Sequence, residues 1–187
     1  MAEVVVFHHA QGLTGGVRKF ADELRAEGHS VHTPDLYDGQ TFSNLDDGVA
    51  HMKTVGFGTL MERSQAAVRG LPEGLVYAGM SMGVGPAQSL AQTRPGAKGA
   101  LLLYGALPAS EFGEWPRNVQ LQIHAMEGDE WFKEDTDAAR ELAALAGGEL
   151  FLYPGNKHLF ADSSLPDYDE AAARLLMRRV LKFLEKN

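Results

Sequence analysis

The chain reads as an α/β protein, a three-layer sandwich in which helices cover both faces of a mostly parallel sheet of about six strands. Three observations predict it. Short apolar, β-branched runs alternate with segments of helical period along the whole sequence. No internal repeat, low-complexity tract or linker interrupts that alternation, so residues 1–187 are expected to form a single domain. Hydrophobic residues make up 44% of the chain and cysteine is absent, so a packed core rather than disulfides must hold the fold.

Taken in order, Val4–His8 is the first strand, followed by a loop from Gly12 to Gly16. Val17, Phe20, Ala21 and Leu24 then recur at helical spacing, and Gly28 closes that helix. Ser30–Thr33 is the second strand, ended by Pro34 and the polar turn Asp35-Leu36-Tyr37-Asp38-Gly39. Helical pattern runs from about Leu45 to Val68, with a break near Gly56-Phe57-Gly58. Leu75–Ala78 is the third strand, and the helix after it carries Ala87, Leu90 and Ala91 before Pro95-Gly96. Ala100–Tyr104 and Val119–Ala125 are the fourth and fifth strands. A helix with Ala139, Leu142, Ala143 and Ala146 stops at Gly147-Gly148, and Leu150–Tyr153 is the sixth strand. The last helix gathers Tyr168, Ala172, Leu175, Leu176, Val180, Phe183 and Leu184 on one broad face. The interval from Gly105 to Asn118 is short and broken by Pro108, Gly113 and Pro116, so no cap domain is expected there.

Charge and termini narrow the function classes. With 17 Lys+Arg against 25 Asp+Glu the net charge is −8, which repels phosphate backbones, and nucleic-acid binding is not expected. No apolar run approaches the ~20 residues that cross a bilayer, and the opening residues lack a basic, apolar secretory pattern. No membrane partner and a cytoplasmic location follow as expectations.

A parallel sheet presents its chemistry on the loops that leave the carboxyl ends of its strands. Gly79-Met80-Ser81-Met82-Gly83 lies on such a loop and matches G-x-S-x-G, the turn that lifts a serine hydroxyl clear of a strand–helix corner. With 8 serines and 21 glycines, random order yields about 0.1 such matches; the strand before it and the helix after it make it specific. Ser81 is the candidate nucleophile, and the Met82 N–H, at the helix start, suits an oxyanion. A serine needs a base held in one tautomer, and this turn demands the chain order serine, acid, histidine. Two histidines follow Ser81. His124 sits inside the fifth strand, where a structural role is expected, whereas His158 lies in the loop after the last strand and is the candidate base. The loop after the fifth strand offers Glu127, Asp129 and Glu130; Asp129, between Gly128 and Trp131-Phe132, is preferred and Glu127 is next.

These segments resemble the dienelactone hydrolase family of the α/β-hydrolase fold. The resemblance covers nearly the whole chain and rests on Val4–His9 with Gly12-Leu13, Thr33-Pro34-Asp35-Leu36-Tyr37, the Ser81 turn, Gly128-Asp129, Tyr153-Pro154-Gly155, and His158-Leu159-Phe160-Ala161. It implies a small capless hydrolase with Ser81, Asp129 and His158 as triad, and the N–H groups of Ala10 and Met82 as oxyanion hole. The founding enzymes carry cysteine at the position of Ser81, a glutamate at that of His9, and a carboxylate-binding arginine at that of Asp162. Small neutral esters or lactones are therefore the expected partners, rather than an anionic dienelactone. Expected pocket residues are His9, Tyr37, Trp131, Phe132 and Leu159, with Met82, Phe57 and Trp115 as further neighbours; which of His8 and His9 faces the pocket is open.

Two other readings are weaker. Gly12, Gly15 and Gly16, with Asp35 about 20 residues further on, sketch a dinucleotide site, but the glycine spacing is not G-x-G-x-x-G. His8, His9 and His32 suggest a metal, yet adjacent strand residues point to opposite faces. No cofactor and no metal are expected. A hydrolase-fold protein that binds small molecules without turnover is a third reading, against which the intact triad argues.

Overall fold

The computed structural model describes residues 1–187 and contains one six-stranded sheet. In chain order its elements are β1 (Glu3–Phe7), α1 (Gly15–Ala26), β2 (Ser30–His32), α2 (Leu45–Val55), α3 (Phe57–Val68), β3 (Leu75–Met80), α4 (Val84–Thr93), β4 (Gly99–Leu103), β5 (Gln120–Met126), α5 (Thr136–Ala146), β6 (Glu149–Tyr153) and α6 (Glu170–Leu184). The strand order is β2-β1-β3-β4-β5-β6. Every neighbouring pair is parallel, so the sheet is wholly rather than mostly parallel. This is the α/β-hydrolase arrangement.

Side-chain alternation divides the core into two layers. Val5, Phe7, Leu75, Tyr77, Leu102 and Ile123 face α2 to α5, while Val4, Val6, Val76, Ala78, Leu101 and Leu103 face α1 and α6. The helix ends follow local rules. Thr14, Asn44 and Asp169 cap α1, α2 and α6 by accepting the N–H of Val17, Asp47 and Ala172. Gly56, at φ +84°, separates α2 from α3, and Gly147 closes α5 in the left-handed conformation.

Boundaries shift where side chains or backbone leave the ladder. The first strand ends at Phe7 rather than His8, whose ring instead receives the Leu36 N–H at 3.0 Å. The fourth ends at Leu103 because Tyr104 adopts φ +69°. Between β4 and β5 the only helical piece is one turn, Ala109–Glu111, so no cap domain is inserted there.

Candidate active site

β3 runs through the middle of the sheet and delivers Ser81 at its carboxyl end. Ser81 has φ +50°, a conformation that side-chain-bearing residues seldom adopt and that the surroundings must enforce. The two flanking glycines explain how the turn is enforced. A Cβ on Gly79 would lie 2.2 Å from the Gly83 carbonyl oxygen, and one on Gly83 would lie 2.3 Å from that of Phe7. Neither site has room for a methyl group, so the strand, turn and helix pack backbone against backbone.

The Ser81 hydroxyl donates to His158 Nε2 at 2.8 Å, and His158 Nδ1–H donates to Asp129 Oδ2 at 2.7 Å. The second Asp129 oxygen accepts the Trp131 N–H at 2.9 Å. Asp129 and His158 are buried while Ser81 is partly open to solvent. The preferred acid of the sequence is thus the one that meets the histidine; Glu127 and Glu130 are exposed. The loops carrying Asp129 and His158 are joined directly, Gly128 N–H donating to the Gly155 carbonyl at 2.9 Å. The His158 ring lies 5.9 Å from Trp131 and 5.8 Å from Tyr104.

Ala10 and Met82 are the expected oxyanion donors. The buried Ala10 N–H donates to no protein acceptor, and Met82 opens the helical turn after Ser81 where N–H groups have no partner within the helix. Tyr37, buried beneath them, donates its hydroxyl to Met82 Sδ at 3.0 Å. Burial pushes that phenol up to about 12, so it remains a donor.

Several expected pocket residues prove to be scaffold. His9 is fully buried: Nδ1 accepts the Gln11 N–H at 3.2 Å, and Nε2–H donates to Asp162 Oδ2 at 2.8 Å. It therefore presents no nitrogen to a substrate. His8 is also buried, donating from Nδ1 to the His9 carbonyl at 2.8 Å while Nε2 accepts the Leu36 N–H. Burial holds its pKa down to about 4, outweighing the carbonyl contact, so Asp35 at 3.9 Å is no ion-pair partner near neutrality. The question of which histidine faces the pocket resolves to neither. Trp115 is buried at the foot of β5, donating to the Val119 carbonyl, and is also not a pocket residue. Phe132 and Leu159 are buried under the site, whereas Trp131 and Phe57 are half exposed.

Three features escaped the sequence reading. Asp162 is buried and accepts from His9, Thr14 and Ser164, the last through both N–H and hydroxyl. Burial alone would raise its pKa; the donors prevail and hold it down to about 2. That carboxylate joins the loop bearing Ala10 to the loop bearing His158, and its charge is directed inward rather than at a substrate. Tyr104 accepts the Ala161 N–H at 3.2 Å and supports the His158 loop. Asp135 accepts the Ala106 N–H at 3.3 Å, and burial raises its pKa, opposed by that hydrogen bond. Only the Asp162 contact had a sequence signal, the cluster Asp162-Ser163-Ser164 opposite Thr14. His32 contacts Glu3 at 2.8 Å, and the ring nitrogens of His8 and His9 are turned to other partners, so the three rings do not converge on one point.

Known proteins match this architecture. The family model described as the dienelactone hydrolase family matches residues 1–187. No curated protein matches the sequence. Among solved structures, a dienelactone hydrolase-like promiscuous phosphotriesterase, P91, from metagenomic libraries superposes with a TM-score of 0.78 at 18% identity, over 100% of this chain and 86% of that one. Esterase 2 of Thermogutta terrifontis, phosphonylated by cyclosarin, gives 0.71 at 16%, over 99% and 82%. A dienelactone hydrolase of Anabaena variabilis gives 0.65 at 18%, over 98% and 87%. No helix is long and apolar enough to cross a membrane. With a family match spanning every element that carries the Ser81, Asp129 and His158 loops, the chain belongs to the dienelactone hydrolase family of α/β-hydrolases.

Proposed function

We propose that the protein hydrolyses small, neutral esters or lactones through an acyl-enzyme on Ser81. The observation that carries this reading is the unbroken line Ser81–His158–Asp129, at 2.8 and 2.7 Å, ending on a serine held at φ +50°. His158 Nε2 takes the hydroxyl proton as Oγ bonds to the acyl carbon, and the carbonyl electrons move to oxygen. The N–H groups of Ala10 and Met82 receive the resulting oxyanion. His158 then protonates the departing alkoxide, and Asp129 holds the imidazole in the required tautomer. Water repeats the sequence on the acyl-enzyme, releasing the acid and restoring Ser81. No metal or cofactor takes part in these steps, and a small molecule is the partner they require.

Substrate size follows from the short segment between β4 and β5, which is too small to form a cap that encloses a long acyl chain. Asp162 is turned inward, committed to His9, Thr14 and Ser164, and the net charge of −8 disfavours anionic substrates. The test compares kcat/KM for acetyl, butyryl, octanoyl and palmitoyl esters and a carboxylate-bearing lactone. Activity should be highest for the short esters, with each added methylene worth at most about 1–3 kcal/mol. Preference for palmitoyl, or for the anionic lactone, overturns the substrate assignment.

A further inference from the structure

At the opposite end of the sheet from Ser81, a cleft of about 660 Å³ lies between α6 and the amino-terminal ends of β5 and β6. That volume is in the range of small-molecule sites, ~300–1,000 Å³. On a chain of net charge −8 its lining is basic: Arg117, Arg179, Lys182 and Lys186 against a single carboxylate, Glu149. Arg179 and Lys182 lie on α6 at i and i+3, and Lys186 follows in the turn just past its end, so all three line the same cleft.

None of the four cations has a carboxylate within ion-pair distance, and the one side-chain hydrogen-bond partner among them is the Tyr153 hydroxyl beside Arg179, a contact that opposes the upward push of burial on that phenol. Glu149 is already engaged, accepting from Gln122 Nε2 at 3.1 Å. The Gln122 oxygen in turn receives His124 Nε2–H at 2.8 Å, and His124 Nδ1 accepts the Tyr153 hydroxyl at 2.9 Å. This chain from the core fixes the wall of the cleft. Arg179 is fixed too, its guanidinium 4.0 Å from the Phe151 ring centre and 5.0 Å from that of Tyr153. A guanidinium stacked in this way loses little freedom on binding, and with five N–H donors it retains, beyond the Tyr153 contact, enough for a forked contact with an oxyanion.

We propose that this cleft binds a small phosphate monoester with a hydroxylated body. The phosphoryl group meets Arg179 and the two lysines, and the hydroxyl groups meet the side-chain amides of Asn118 and Gln120 on the same wall. A dianion gains most from several unpaired cations in one concavity, and the amides offer both donors and acceptors to hydroxyls. The site is independent of Ser81 chemistry.

The probes are glucose 6-phosphate, ribose 5-phosphate, glycerol 3-phosphate, inorganic phosphate and glucose, titrated calorimetrically into the intact protein. At least one of the three esters should bind saturably at one site, tighter than inorganic phosphate, with glucose inert. The double variant Lys182→Gln/Lys186→Gln should weaken that binding by at least tenfold, as should Arg179→Gln, with ester hydrolysis unchanged. The exposed lysine pair keeps the test valid should loss of the Arg179 stack impair folding. The proposal is overturned if no ester binds, if inorganic phosphate binds as tightly as the esters, or if the lysine pair can be neutralised without effect.

Discussion

Two buried aspartates in this protein each hold a histidine, Asp129 with His158 at 2.7 Å and Asp162 with His9 at 2.8 Å. What differs is where each line ends. Beyond His158 stands the Ser81 hydroxyl, mobile in its proton; beyond His9 stands the Gln11 N–H, which keeps its own. The aspartates differ as well. Asp129 accepts one side-chain and one backbone donor, whereas Asp162 collects donors from His9, Thr14 and Ser164 and is fully committed to holding loops together. An Asp–His contact is therefore not in itself a mark of chemistry. The free ring nitrogen and what faces it decide between proton transfer and mechanical support.

Substitutions should separate the two lines, and the largest effect belongs to the first. Ser81→Ala should lower ester hydrolysis by roughly 10⁴-fold or more, in line with loss of a triad nucleophile. The fold should survive, and Ser81→Gly should be slightly more stable than wild type, because glycine tolerates φ +50°. Next, Asp129→Asn should cost on the order of 10³–10⁴ in kcat by offering His158 the wrong tautomer. If Glu127→Gln has that effect instead, the acid is misassigned.

Asp162→Asn should act more mildly and through geometry. One acceptor oxygen is lost among four donors, at a cost of about 1–3 kcal/mol in stability. Because the Ala10 and His158 loops then loosen, kcat should fall by roughly 10- to 100-fold with KM little changed. A variant with full kcat would reduce Asp162 to a stabilising role alone.

A separate effect, on stability alone, is its dependence on pH. Burial lowers His8 to about 4, and burial aided by the Arg179 charge lowers His124 to about 3. Between pH 6.5 and those values the unfolded chain takes up protons that the fold refuses, so stability falls on acidification. The slope is about 1.4 kcal/mol per pH unit for each histidine. Asp162 adds to the loss lower down, as pH falls from 3.8 toward its folded value of about 2. Urea unfolding at pH 7.5 and pH 5 should show the decline; equal stability at both contradicts the neutral, buried histidines.

Much of this was legible in the residues and some was not. Element order followed from periodicity, and Ser81, Asp129 and His158 followed from one local motif and the chain order it demands. The strand ends slipped by a residue where His8 and Tyr104 leave the ladder, since neither a ring hydrogen bond nor a positive φ is written in hydrophobic pattern. His9 was read as a pocket residue because its partner lies 153 positions away. Side-chain direction near a loop is set by such distant contacts, and nothing in local spacing reports them. The cleft beside α6 was hidden for the same reason: its lysines are visible in sequence, but its opposite wall comes from β5 and β6.

The account turns on Ser81 being the group that forms the covalent bond. A fluorophosphonate probe, incubated with the intact protein and followed by peptide mass spectrometry, tests this directly. It should modify Ser81 alone, in step with loss of ester hydrolysis, and modify nothing in Ser81→Ala. Labelling at a different serine, with hydrolysis persisting in Ser81→Ala, would contradict the account.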